Sequence, residues 1–214
     1  MNDKTKIAGG KTVLDWKNLR NRIRADFNNS NLWNEAFDFF EERLETRYFK
    51  PIKDIKKNDQ CNGEGFAITT ILCSLIEFLE STFTGEIYRY CPNNQLQEFE
   101  YNKSREKFIS FFENRPPFNK IFTPANKLAT QFYENVRCGL LHEASTKGNW
   151  IIRIDKTTDF YALRDGNHVI NREIFEKKIR EYLSNYKTLL LDDDNLKSAF
   201  IRKMNNIAGL QINF

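Results

Sequence analysis

What is scarce in this sequence narrows it first. Its 214 residues hold only nine glycines and five prolines beside nineteen phenylalanines, which disfavours a turn-rich all-β design and favours long helices packed through bulky side chains. The four cysteines, Cys61, Cys73, Cys91 and Cys138, form no C-x-x-C pair, and with only two histidines in the chain no metal site is expected and the thiols read as reduced. No eighteen apolar residues run together, and residues 1–11 lack an apolar core of signal-peptide length, so neither a membrane span nor export is expected and the expected setting is cytoplasmic. Neither G-x-G-x-x-G nor G-x-x-x-x-G-K-[ST] occurs, which leaves Gly63-Glu64-Gly65 as the start of a helix and gives no reason to expect a cofactor. Charge is nearly balanced, 33 basic against 29 acidic residues, so net charge by itself does not argue for a polyanionic partner.

What is present is enough apolar surface to fold, 40% of residues with 14% aromatic. Residues 1–11 are polar and end in Gly9-Gly10, which predicts a mobile tail, and no repeat or linker divides 12–214, which predicts a single domain. Val13, Leu14, Trp16, Leu19, Ile23 and Phe27 recur at helical spacing, with Arg20 and Arg24 on the other side as candidate RNA-backbone contacts. A second helix is expected over 32–48, capped by Asn31 and ended by Pro51. The most apolar stretch, 66–83, reads as the central helix, closed by Thr84-Gly85, with Thr70, Ser74, Glu77 and Ser81 as its narrow polar stripe. A helical pattern resumes over 102–112, and Thr123-Pro124 predicts the start of a helix that carries Leu128, Phe132, Val136, Leu140 and Leu141 inward. The period then changes to alternation through Trp150, Ile152 and Ile154, with turns at 155–159 and at Asp165-Gly166-Asn167, so a small β-hairpin is expected before two closing helices. Asn171 caps the first of these, over 172–191. The fold class expected is mainly α.

The stretch 132–144 is the one that looks built for chemistry, because it sets Arg137 and His142 inside an apolar helix. A guanidinium fork can hold the non-bridging oxygens of a phosphodiester, and an imidazole that titrates near neutrality can move the proton of a 2′-hydroxyl or of the leaving group. Five helical positions amount to about 140° of rotation and 7.5 Å of rise. The pair therefore shares no narrow face, and its chemistry needs either a distortion near Gly139 or a second copy of the motif from another chain. A purely structural reading is also open: Arg137 bridging Glu134 or Glu77, and His142 capping the last carbonyls of the helix. His168, with no acidic or cysteine neighbour at ligand spacing, reads as an ordinary surface histidine, and Cys138 reads as core.

Arg137-x-x-x-x-His142 at the end of a late helix resembles the R-x(4 to 6)-H motif of the HEPN superfamily, found in toxin, abortive-infection and CRISPR-linked ribonucleases. The runs Gly63-Glu-Gly-Phe-Ala-Ile, Cys73-Ser-Leu-Ile-Glu77-Phe-Leu and Asn135-Val-Arg-Cys-Gly-Leu-Leu-His-Glu-Ala are similar to an uncharacterised bacterial branch of it, over roughly 32–187. The resemblance implies a HEPN-like helical bundle and metal-independent RNA cleavage to a 2′,3′-cyclic phosphate. It also implies a homodimer that joins two motifs at one cleft, in a toxin-antitoxin or antiviral defence system with a partner or antitoxin protein. Arg137 and His142 match the motif directly; Glu77, Asn135 and Glu143 are carried as supporting residues, and Lys147 joins Arg20 and Arg24 as a candidate RNA contact. Catalytic members often have a polar residue after the arginine, where this chain has Cys138. A non-catalytic RNA, nucleotide or protein-binding module is the alternative.

Overall fold

The computed structural model describes residues 1–60, 62–155 and 159–212. Strands β1 (Lys6–Ala8) and β2 (Lys11–Thr12) precede helices α1 (Val13–Ala25), α2 (Ser30–Leu44), α3 (Lys50–Lys57) and the long α4 (Glu64–Thr84). After β3 (Ile87–Tyr88) and β4 (Glu100–Tyr101) come α5 (Ser104–Asn114), α6 (Leu128–Phe132) and α7 (Cys138–Glu143). Strands β5 (Trp150–Arg153), β6 (Tyr161–Arg164) and β7 (Asn167–Asn171) lead into α8 (Arg172–Asp192) and α9 (Asp194–Ile207). The protein is thus mainly helical with small sheets. Its chain divides into two compact units where the sequence predicts one domain: Met1–Lys53, Ser81–Asn102 and Tyr186–Phe214 form the first, and Asp54–Glu80 and Lys103–Asn185 the second. Three of these boundaries fall inside α3, α4 and α8, where the helix runs on without a break.

In the first unit, the expected mobile tail is instead a hairpin. β1 pairs antiparallel with β2, and Ile7 and Ala8 are buried. The correction comes from tertiary contact: Arg43 on α2 donates to the Ile7 carbonyl at 2.5 Å, a partner 36 residues away that local composition cannot show. Thr12 then starts α1 with a capping box, its backbone N–H donating to Asp15 while its hydroxyl accepts from the Asp15 backbone. The core is aromatic. Phe37 and Phe40 pack on Phe200, and the Trp16 indole donates to Asn205 at 3.0 Å. Pro51 does not end a helix. α2, capped by Asn29 and not by Asn31, runs into a π-helical turn, Glu45–Phe49, and α3 continues beyond it with Pro51 at its second residue. A proline lacks the N–H and crowds the carbonyl four residues back, and the wider i→i+5 turn just upstream accommodates both. Gly85 closes α4 at φ 70°, where a Cβ would lie 2.6 Å from the Ala199 Cα.

In the second unit, α4 and α5 are joined by a ladder of polar contacts. Ser104 donates to Glu77 at 2.9 Å, Ser110 to Glu80 at 2.7 Å, and Arg115 reaches Glu80 through Nε at 2.8 Å. α4 is long and apolar enough to cross a membrane, and 56% of its most apolar window is buried within the fold, as a core helix requires. Phe112 packs against Phe108, Phe118, Phe122, Phe132 and Phe160, so α5 anchors the core from one side. The expected hairpin is present as β6–β7, but β5 lies parallel along β7, giving the order β5-β7-β6. Of the turn expected at 155–159, residues 156–158 lie outside the described residues, as does Cys61. Asn171 caps α8 by accepting from the N–H groups of Glu173 and Ile174. Thr123-Pro124 opens only a turn. Lys127 takes a left-handed conformation, φ 52°, so the helix begins at Leu128.

Candidate functional site

Arg137 ends a π-helical turn, Tyr133–Arg137, that interrupts the helix between α6 and α7. Such single turns recur at functional sites because they rotate the side chains that follow. Here the turn lies upstream of Arg137, and Cys138 to Glu143 are regular α-helix, so nothing between Arg137 and His142 shortens the 140° that separates them on an ideal helix. The distortion expected near Gly139 is therefore absent. Gly139 has another role: the chain folds back across the helix end, and a Cβ there would stand 2.5 Å from the Ser145 carbonyl oxygen.

Arg137 and Glu77 are brought together. Both line a recess of about 80 Å³ with Thr70, Cys73, Phe108 and Leu141. A water needs roughly 10–15 Å³ of such volume, so the recess has room for a phosphate-sized group. Arg137 is half-buried, its Cζ 5.3 Å from the Tyr133 ring centroid, and its guanidinium makes no hydrogen bond or ion pair to any described residue. Glu134, the other carboxylate considered for it, pairs instead with Arg105 at 2.9 Å. The Tyr133 hydroxyl is pushed up by burial, against the pull of Arg137, and Cys138 and Glu77 add to the rise, so it remains a neutral phenol beside the guanidinium. Burial likewise raises the Cys73 thiol despite Arg137 nearby, which keeps it protonated and unreactive. Cys138 is half-buried, in hydrogen-bonding contact with Tyr133, where the sequence placed it in the core.

His142 does not line this recess. It is exposed at the end of α7 and makes no hydrogen bond or ion pair to any described residue, so it caps no carbonyl. The supporting residues separate as well. Asn135 turns its side-chain amide back on its own helix, donating to the Gln131 carbonyl at 2.9 Å. Glu143 faces solvent and meets Lys147 at 3.5 Å. Arg20 and Arg24 belong to the first unit, on α1, with Arg20 half-buried and Arg24 exposed. Sequence reasoning missed Tyr133, although it and Leu141 stand four residues either side of Arg137, the spacing that places side chains on one helix face.

His168 is no ordinary surface residue. The β5–β7 register sets it opposite Trp150, with the rings stacked at 4.5 Å, and the Tyr161 hydroxyl lies 2.9 Å from Nδ1. Desolvation holds its pKa below the ordinary 6.5. The unfolded chain therefore binds the proton more readily, and the contribution of His168 to stability is complete above pH 6.5 and is lost as pH falls through the lower folded value. His168→Gln should accordingly flatten the decline of Tm between pH 7 and pH 5; an unchanged slope would show that the ring is not desolvated as described.

Among the described residues no group of three histidine, cysteine or acidic side chains is placed to hold a metal. No known protein family, curated protein or solved structure matches the chain.

Proposed function

We propose that the protein is a metal-independent endoribonuclease, with a HEPN-like arrangement in which each active site takes Arg137 from one copy and His142 from another. The observation that carries this reading is the state of the arginine: half-buried, seated over an aromatic ring, and without a hydrogen bond or ion pair among the described residues, although Glu77 lines the same recess. A guanidinium that serves only structure is normally satisfied by a carboxylate or carbonyl, because burying it unmet costs free energy. A phosphodiester supplies the missing acceptors. His142, solvent-facing and uncommitted, then acts on RNA held by a neighbouring copy. It removes the 2′-hydroxyl proton as that oxygen attacks phosphorus, and the bond to the 5′ oxygen breaks as that oxygen is protonated, leaving a 2′,3′-cyclic phosphate and a 5′-hydroxyl. Such activity suits a cytoplasmic toxin or antiviral effector restrained by a partner or antitoxin protein, with RNA contacts from Arg20, Arg24 and Lys147.

A non-catalytic module is the second reading, and the absence of His142 from the recess favours it: the recess would then bind a phosphate group without breaking bonds.

Mixing inactive variants separates the two. Arg137→Gln and His142→Ala proteins, each silent alone on a labelled RNA pool, should together regain about a quarter of wild-type cleavage, since random pairing makes half the dimers mixed and each mixed dimer has one intact site. No recovery on mixing would overturn the composite site. Wild-type protein that binds RNA but releases no cyclic-phosphate product supports the binding module.

A further inference from the structure

A second cavity in the same unit has no part in the site above. It has a volume of about 300 Å³ and lies where the start of α4 meets the end of β5, lined by Gly65, Phe66, Ile152, Arg153, Ile154 and Arg172. Its walls are of two kinds. Phe66 and Ile154 are 41% and 48% exposed, unusual for large apolar side chains, and with Ile152 they form an apolar side open to solvent. The lining also includes Arg172, the first residue of α8, only 3% exposed. Its Nη2 pairs with Asp59, and Glu173 stands within ion-pair range of Nε at 3.7 Å, but Nε, buried, has no hydrogen-bond partner. An orphaned guanidinium N–H beside a cavity is a group that lacks its ligand.

Charge on the walls is net positive. Arg172 is balanced by Asp59, and the cavity's own acid, Asp155, is balanced by Arg164 at 2.9 Å. Arg153, exposed, has no acidic partner among the described residues. The amides where the chain enters α4 are not the anion holder, because the Glu64 carboxylate already accepts from the backbone N–H groups of Gln60, Asn62, Gly63 and Glu64 itself. The cations are therefore the two arginines. Gly65 keeps the space between them and the apolar wall, since a Cβ there would stand 3.1 Å from Nη1 of Arg172 and 3.5 Å from Ile152.

We propose that this cavity binds a small organic anion, a phosphate or carboxylate borne on a single compact ring, with its oxygens at Arg172 and Arg153 and its ring between Phe66, Ile152 and Ile154. The volume sets the size, for it stands at the lower end of ligand pockets, about 300 to 1,000 Å³. The two-sided lining sets the chemistry: a bare anion leaves the apolar wall wet, and a neutral ring leaves the guanidinium unmet. The inference does not depend on what Arg137 does.

The test is an amide NMR titration of the full chain with phenyl phosphate, benzoate, inorganic phosphate and benzyl alcohol. Phenyl phosphate or benzoate should saturate and shift the resonances of Gly63, Gly65, Phe66 and Ile152, and whichever binds more tightly identifies the head group. Benzyl alcohol and inorganic phosphate should bind at least about tenfold more weakly, the loss expected when a charge-assisted hydrogen bond or a buried ring is removed. Arg172→Gln also breaks the pair with Asp59, so the exposed Arg153→Gln, expected to weaken binding by about threefold to tenfold, and the cavity-filling Ile154→Trp, expected to block it, carry the test. Failure of both ring anions to saturate, equal binding of benzyl alcohol, or shifts centred on Arg137 or on surface lysines would each overturn the proposal.

Discussion

Replacing His142 with alanine is expected to lower RNA cleavage by about 10²- to 10⁴-fold, the range that a positioned general acid or base contributes. Thermal stability should scarcely change. The side chain is exposed and uncommitted among the described residues, and substitutions of that kind alter stability by no more than about 0.5 kcal/mol, or roughly 2 °C in Tm for a chain of this size. That separation gives the experiment its force. A structural histidine, one that capped carbonyls at the end of α7, would lose stability and activity together. Cleavage at the wild-type rate by the His142→Ala protein, measured on the same RNA pool, would remove the catalytic assignment outright. Arg137→Gln should show the complementary pattern. It removes a half-buried cation stacked on Tyr133, so cleavage falls together with a modest change in Tm.

The parts of the fold legible in the sequence are those whose causes are local. The period of 66–83, the Asn171 cap and the Thr84-Gly85 stop each act within a few residues, and α4 and α8 form where they predict. The parts that were not legible depend on contacts distant in sequence or on backbone states with no residue signature. The hairpin at Ile7 rests on Arg43, and the passage through Pro51 rests on a π-helical turn that composition does not announce. The same division runs through the site. Arg137, Glu77 and His142 were visible as residue types, and the rotation of an ideal helix already set the first apart from the last. That Glu77 lines the recess of Arg137 without pairing with it was not visible, because it depends on how α4, α5 and the π-helical turn close around Phe108. The back-bond of Asn135 was hidden for a related reason: an amide beside the motif gives no sign in the sequence that it donates to the carbonyl four residues back.

The closure of that recess rests on the joint between α4 and α5, and Arg115→Ala should break it. Glu80 is the most deeply placed acid of the second unit's ladder, its side chain 1% exposed, and Arg115 meets it in a fork, Nε to Oε2 at 2.8 Å and Nη2 to Oε1 at 3.0 Å. Removing the guanidinium takes the forked partner from a carboxylate that is almost fully buried, which costs about 3–5 kcal/mol. In a protein of this length the expected fall in Tm is roughly 6 to 20 °C. Arg105→Ala is the internal standard. It removes an ion pair of the same type, with Glu134, but both side chains there are about half exposed, 49% and 53%, and the loss should not exceed about 1 kcal/mol. The double variant Glu80→Leu/Arg115→Leu should recover much of the deficit, since replacing both members of a buried pair with apolar groups removes the stranded charge. Should Arg115→Ala and Arg105→Ala prove equally mild, the joint is not held by this pair, and the recess around Arg137 must owe its shape to the phenylalanine core alone.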